Sequence, residues 1–270
     1  MSNPYSYEGK RVVITGAYSG VGAALLELVS ELGAEHITVL DVKEPDGPAT
    51  VFLETDLSDR GAVDAAVGAI EGPVHALFNN AGVAATLPPT TVMAVNYLAL
   101  RRLSEGLLDK IPAGGAIANT ASIAGGQWPQ RIAEINELLD IGDWDASLEW
   151  VTAHPETVTD PYSFSKEVVQ VWTMRSSRAT MARDVRTNSV CPAPIDTPLL
   201  VDFRATMTDK LIDWTVEQAN GRLATPLDVA RSLAFLGSDA ASYVNGTNLL
   251  VDAGFTAAMT TGQVDLSALA

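Results

Sequence analysis

Between Arg11 and Asp41 the chain changes its hydrophobic period twice, and no other stretch restricts its possible folds as tightly. Arg11-Val12-Val13-Ile14-Thr15 is a short, β-branched apolar run that ends in Gly16, Gly20 and Gly22. From Val21 onward Ala24, Leu25, Leu28 and Leu32 fall at helical spacing, and Gly33 follows as a stop. His36-Ile37-Thr38-Val39-Leu40-Asp41 then reads as a second buried strand with an acid at its carboxyl end. Strand, glycine turn, helix and strand in this order begin a βαβ unit.

Each of these residues suits one ligand chemistry. Glycines let the backbone turn tightly and approach a pyrophosphate, and the first amides of the following helix point at the anion from the positive end of its dipole. Asp41, 19 residues after Gly22, can accept hydrogen bonds from both hydroxyls of an adenosine ribose and would repel a 2′-phosphate. NAD is therefore expected over NADP. No Arg or Lys lies in the turn or directly after Asp41, although Lys43 is near enough to keep NADP as an alternative.

The alternation continues down the chain. Residues 50–54 read as a third strand, Ser58 or Asp59 as the cap of a helix over 62–70, and 74–78 as a fourth strand running into Asn79-Asn80-Ala81-Gly82. A long helical pattern over 90–108 contains Asn96, and residues 116–120 give a fifth strand that leads to Ser122. Such alternation calls for a parallel sheet with helices on both faces, with ligands held at the carboxyl ends of its strands. Residues 15–22, Asp41, Asn80, Ser122 and the segment after Cys191 all lie at such ends. With 270 residues, 47% of them hydrophobic, one large domain over 1–270 is expected.

Further along, Tyr162-Ser163-Phe164-Ser165-Lys166 puts a phenol and an ammonium one helical turn apart. A cation beside a phenol favours the phenolate and lowers its pKa from about 10. That would make Tyr162 a proton donor and acceptor near neutral pH.

Charge and composition narrow the partners. A formal charge of -16 opposes nucleic acid and anionic membranes as partners. A single cysteine, Cys191, provides no intrachain disulfide and fits a reducing cytoplasm, and nowhere do 18 uncharged apolar residues run together, so no membrane span is expected. His36, His75 and His154 share no metal-ligand spacing, so no metal is expected.

Several motifs together resemble one family. Thr15-Gly16-Ala17-Tyr18-Ser19-Gly20-Val21-Gly22, Asn79-Asn80-Ala81-Gly82 and the ordered set Asn96, Ser122, Tyr162 and Lys166 resemble the short-chain dehydrogenase/reductases. Cys191-Pro192-Ala193-Pro194-Ile195-Asp196-Thr197-Pro198 and the stretch 245–254 extend the likeness over nearly the whole chain. The resemblance implies a Rossmann-type, doubly wound α/β fold with a seven-stranded parallel sheet. It also implies hydride transfer between NAD(H) and an alcohol or ketone. In that reading Tyr162 exchanges the proton, Lys166 supports it and hydrogen-bonds the nicotinamide ribose, Ser122 holds the substrate oxygen, and Asn96 positions a water. Gly16, Tyr18, Ser19, Gly20, Val21, Gly22, Asp41, Asp56, Leu57, Asn80, Ala81 and Gly82 hold the adenosine and phosphate side, and Pro192, Ile195 and Thr197 the carboxamide.

Two departures stand out. The gap between Ser122 and Tyr162 is longer than relatives usually have, and an insertion at about 127–160 resembles the one in bacterial 3-alpha-hydroxysteroid dehydrogenases. Its patterns Ile132-Ile135-Leu138-Leu139 and Leu148-Val151, parted by Gly142, predict a helical pair. It is expected to block the usual tetramer of this homo-oligomeric family and favour a dimer. Ala193 stands where relatives usually carry a glycine. For the substrate, Leu199, Leu200, Phe203, Val83 and Trp128 predict an apolar pocket for a hydrophobic, cyclic or steroid-like secondary alcohol or ketone. The alternatives are an NADP-dependent carbonyl reductase and a non-catalytic NAD(H)-binding module.

Overall fold

The computed structural model describes residues 3–265. Seven parallel strands, β1 (Arg11–Thr15), β2 (His36–Asp41), β3 (Val51–Glu54), β4 (Ala76–Asn79), β5 (Ala116–Thr120), β6 (Arg186–Pro192) and β7 (Asn248–Val251), form one sheet in the order β3-β2-β1-β4-β5-β6-β7. This is the expected Rossmann-type sheet, and the strand order reverses between β1 and β4. A crevice opens at such a point, because the connections on its two sides leave in opposite directions.

Period-two alternation explains the two layers. In β1, Val13 packs into one hydrophobic cluster while Val12 and Ile14 pack into the other. The second cluster is closed by α1 (Gly20–Glu31), through Val21, Leu25, Leu26 and Val29, with help from Val229, Ala230 and Leu233 of a late helix. On the opposite face lie α2 (Arg60–Ala69), capped by Asp59 accepting from the Ala62 amide, and a long segment made of α3 (Pro89–Met93), a π-helical turn (Ala94–Leu98) and α4 (Ala99–Leu107). The sequence pattern predicts one continuous helix there. The π-turn interrupts it at the segment holding Asn96, and π-turns concentrate at functional sites.

The insertion forms the expected helical pair, α5 (Ile132–Asp140) and α6 (Trp144–Ala153). Ile135, Leu138, Leu139, Trp144 and Trp150 join the hydrophobic cluster under α7 (Pro161–Met181). Asp160 caps α7, its carboxylate accepting from the Tyr162 and Ser163 amides at 3.1 and 3.2 Å, and Pro161 fits the first turn, where no amide is needed. After β6 come α8 (Leu200–Met207), α9 (Asp209–Gln218) and α10 (Pro226–Gly237); α11 (Phe255–Thr260) follows β7. α10 is the late helix packed on α1. No described helix is long and apolar enough to cross a membrane.

Candidate active site

A cavity of about 950 Å³ runs along the carboxyl ends of the strands, across the reversal point. Its walls include Gly16, Tyr18, Ser19, Gly20, Val21, Asp41, Asp56, Leu57, Asn80, Ala81 and Gly82 at one end. Val83, Ser122, Tyr162, Lys166, Pro192, Ile195, Thr197, Leu199 and Phe203 line the rest. Sequence spacing thus brought together residues more than 180 positions apart.

At the glycine end, a β-carbon on Gly22 would collide with the Gly16 carbonyl oxygen, and one on Gly16 would lie 2.6 Å from the Ala81 Cα. Gly22 therefore does not line the cavity; it lets α1 start directly behind the turn. Ser19, the N-cap of α1, makes no side-chain cap bond, so the first amides of the helix are not taken up by a capping side chain. The Thr15 hydroxyl accepts from the Asn80 and Ala81 amides, both at 3.0 Å, and the Asn80 side-chain amide donates to the Gly16 carbonyl at 3.0 Å. These bonds lock the glycine turn to the end of β4. Asp41, at the end of β2, accepts from the Tyr18 amide at 2.9 Å, and the Lys43 ammonium stands 5.1 Å from the centre of the Tyr18 ring. A bare helix N-terminus, a turn without room for side chains and a carboxylate at the second strand's end fit the diphosphate and ribose of a dinucleotide.

At the other end, burial dominates the chemistry. Burial pushes the Tyr162 phenol up to about 12, opposed by a side-chain hydrogen bond from Ser122. It pulls Lys166 down to about 8. The expected lowering of the phenol is thus corrected: burial outweighs the nearby cation and raises it. Nζ of Lys166 lies 5.7 Å from the Tyr162 ring centre and donates to the Thr120 carbonyl at 2.8 Å, so the ammonium is held at the end of β5 while both groups are desolvated. Gln170, one turn after Lys166 on α7, donates to the Ser122 carbonyl at 2.8 Å and fixes the serine against the same helix. Cys191 behind them is pushed up to about 11 by burial and stays a thiol.

Besides Gly22, three expected residues lie outside the cavity's lining. Asn96 is buried, with Oδ1 accepting from the Val83 amide at 2.8 Å and Nδ2 donating to the Val83 carbonyl and the Ser165 hydroxyl, both at 3.0 Å. It clamps the Gly82-Val83 backbone, and through Ser165, which donates to the Tyr162 carbonyl at 2.7 Å, the first turn of α7. Its amide is committed to this clamp, which differs from the expected place in a water path. Trp128 opens a 3₁₀ turn at the start of the insertion and packs on the cluster under α7 instead of the pocket. Leu200 is buried because it is one residue round the helix from Leu199, whose side faces the cavity. Ala193 avoids the left-handed backbone region that would call for glycine, and its amide donates to the Val251 carbonyl at 3.2 Å. The nicotinamide-type loop holds its shape with alanine there.

The sequence reading also missed part of the roof. Leu211, Ile212 and Trp214 of α9 and Phe255 and Met259 of α11 line the cavity, with Trp214 and Phe255 in edge contact at 5.5 Å between ring centres. The stripe Leu211, Ile212 and Thr215 at helical spacing was the available signal.

Comparison with known proteins agrees with this geometry. A family described as short chain dehydrogenase matches residues 10–133, and one described as Enoyl-(Acyl carrier protein) reductase matches 150–256. A coniferyl-alcohol dehydrogenase of Pseudomonas sp. is 31% identical over 91% of this chain and 96% of its own length. The chain belongs to the short-chain dehydrogenase family. A cis-4-hydroxycyclohexanecarboxylate dehydrogenase of Sinomonas cyclohexanicum is 33% identical over 91% of this chain and 96% of its own. The crystal structure of the 3-alpha-hydroxysteroid dehydrogenase from Pseudomonas sp. B-0831, complexed with NADH, superposes with a TM-score of 0.78 at 30% identity, covering 95% of this chain and all of that one. This short-chain dehydrogenase is an oxidoreductase that works with a nicotinamide cofactor.

Proposed function

We propose that this short-chain dehydrogenase moves a hydride between NAD(H) and a hydrophobic, cyclic or steroid-like secondary alcohol or ketone. The reading rests above all on the buried Tyr162 phenol, beside Ser122, which counters the upward shift that burial gives it, and backed by Lys166, in a cavity whose far end is the glycine turn and Asp41. The turn residues and the α1 amides would hold the pyrophosphate, and Asp41 the adenosine ribose. Asp56, Leu57 and Asn80 would flank the adenosine, with Pro192, Ile195 and Thr197 on the carboxamide. Once bound, the nicotinamide supplies or accepts the hydride.

The chain's own residues handle the oxygen and its proton. Ser122 and Tyr162 hydrogen-bond the substrate oxygen; Tyr162 gives it a proton during reduction and takes one during oxidation. Lys166, protonated, stabilises the phenolate that oxidation requires. Phe203, whose ring centre is 4.6 Å from that of Tyr162, keeps water from the phenol. Leu199, Phe203, Met207, Leu211 and Trp214 give the substrate compartment apolar walls suited to a ring skeleton. The names of two relatives, the cis-4-hydroxycyclohexanecarboxylate and 3-alpha-hydroxysteroid dehydrogenases, support the same class.

Asp41 supports NAD, since a 2′-phosphate would meet its carboxylate. The second reading, NADPH-dependent carbonyl reduction, draws on the Lys43 ammonium over the Tyr18 ring beside that carboxylate. A screen of steroids and cyclic alcohols, followed at the NADH absorbance, tests both. Like-charge contact costs several kcal/mol, so kcat/KM with NAD should exceed that with NADP by about a hundredfold. Efficient use of NADPH with little use of NADH contradicts the Asp41 argument; turnover of small polar acids or sugars alone contradicts the substrate class.

A further inference from the structure

One wall of the substrate compartment carries a residue whose polarity does not match its neighbours. α8 and the residue before it turn Leu199, Asp202, Phe203 and Met207 to the cavity, at the three- and four-residue spacings of a single helical face. Three of the four are apolar, and Asp202 is a half-buried carboxylate. Phe203, next to it, rests on the Tyr162 ring, so Asp202 stands beside the compartment where the substrate skeleton would lie. The other acids of the lining, Asp41 and Asp56, belong to the dinucleotide end. Among the described lining residues the only cation is Lys166, which is bound to the Thr120 carbonyl. Arg204, on the same helix as Asp202, is paired with Asp209 and Asp213 at 2.8 and 2.7 Å. A carboxylate on the substrate would therefore find an anion in this compartment and no cation to offset it.

We propose that Asp202 selects substrates by charge, admitting ring alcohols and ketones whose remote end is neutral or cationic and rejecting those with a carboxylate there. This rests on the ring-alcohol reading above and narrows it. Apolar walls limit solvent screening, so the like-charge repulsion reaches across the compartment, while a neutral ring feels none of it. The substrate class becomes neutral cyclic alcohols, in contrast to what the name of the Sinomonas relative states for that protein.

The test uses a matched pair, 4-methylcyclohexanone and 4-oxocyclohexanecarboxylate. Calorimetric titration of each into the full chain saturated with NAD reads binding in a state that cannot deliver a hydride. NADH-driven reduction of the same pair then reads kcat/KM. The wild type should bind the methyl ketone more tightly. Asp202→Asn should shift the affinity ratio toward the acid by about five- to tenfold, the effect of one unit charge at roughly 6–8 Å in a wet cavity, and Asp202→Lys should invert the preference. Asp202 also lies in the first turn of α8, where an acid favours the helix dipole. If that were its whole role, both variants would weaken the two compounds alike and leave their ratio unmoved. Such a result overturns the proposal, as does a wild type that binds the acid as well as the neutral ketone, or that binds neither. Preferential binding of the neutral ketone without reduction of either compound would leave the charge selection standing and remove the ring-alcohol reading.

Discussion

At the scale of single residues, Tyr162 and Lys166 show what spacing in a sequence can and cannot convey. Their one-turn separation was legible, and α7 places both at the cavity. The direction of the phenol's shift was not, because it depends on how deeply each group is buried and on where the ammonium points. Desolvation disfavours the charged form of each, raising the tyrosine and lowering the lysine. Lys166 has an ordinary value of 10.5 and a folded value of about 8. Between those values the unfolded chain holds a proton that the folded chain has released, so the lysine's contribution to stability rises with pH across that window. Tyr162 acts in the opposite sense between about 10 and about 12, where the folded chain keeps the proton and stability falls as pH rises. Denaturant titrations of the cofactor-free protein at pH 7 and pH 9 check the first sign. Lys166→Met should remove about 1 kcal/mol of the change between the two pH values, whereas equal changes in wild type and variant would contradict the burial argument.

At the scale of elements, the strand-turn-helix opening and the paired helices of the insertion were readable from period alone, because each buries one clear face. β6 was harder, since its sequence Arg-Thr-Asn-Ser-Val-Cys-Pro has no apolar run. The strand is central and fully buried, and its polar side chains are satisfied by specific partners. Arg186 donates to the Leu236 and Ser238 carbonyls at 2.8 and 2.9 Å, and the Asn188 amide donates to the Val244 carbonyl at 2.8 Å. Nor does period reveal the π-turn around Asn96, since one extra residue barely disturbs an apolar stripe. The insertion has its own anchor on α7, where Arg131 donates to the Glu167 carboxylate at 2.5 Å and to the Thr157 carbonyl at 2.9 Å. The Glu167 side chain is fully buried, and burial raises its pKa. Arg131→Met should cost about 3 kcal/mol by leaving that carboxylate unpaired, and Arg131→Met with Glu167→Met should restore most of it. Because a raised carboxyl keeps its proton longer when folded, stability is lost as pH rises above the unfolded value, so the single variant should lose more at pH 8 than at pH 5. The same loss at both pH values would show that Glu167 is not the group left exposed to the penalty.

For the whole molecule, one sheet with a hydrophobic cluster on each face brings residues from 16 to 259 to a single cavity. Most of the end proposed for the dinucleotide could be read from the sequence, because its features answer to a few chemical needs of such a ligand: no side chain at the turn and an acid at the second strand's end. The substrate end was less legible, because its walls come from α8, α9 and α11, whose placement follows from tertiary packing and leaves no motif. Trp128 and Leu200 fell outside the lining for that reason, and Trp214 and Phe255 entered it. The central claim, that Tyr162 exchanges the proton that accompanies hydride transfer in this cavity, is tested most directly by comparing Tyr162→Phe with the wild type for NADH binding and for turnover. Removing one hydroxyl leaves the ring packing and the glycine turn in place, while a positioned acid or base is worth about a hundred- to ten-thousandfold in rate. The variant should bind NADH with unchanged affinity and lose about a thousandfold in kcat; near-normal turnover in that variant would contradict the account.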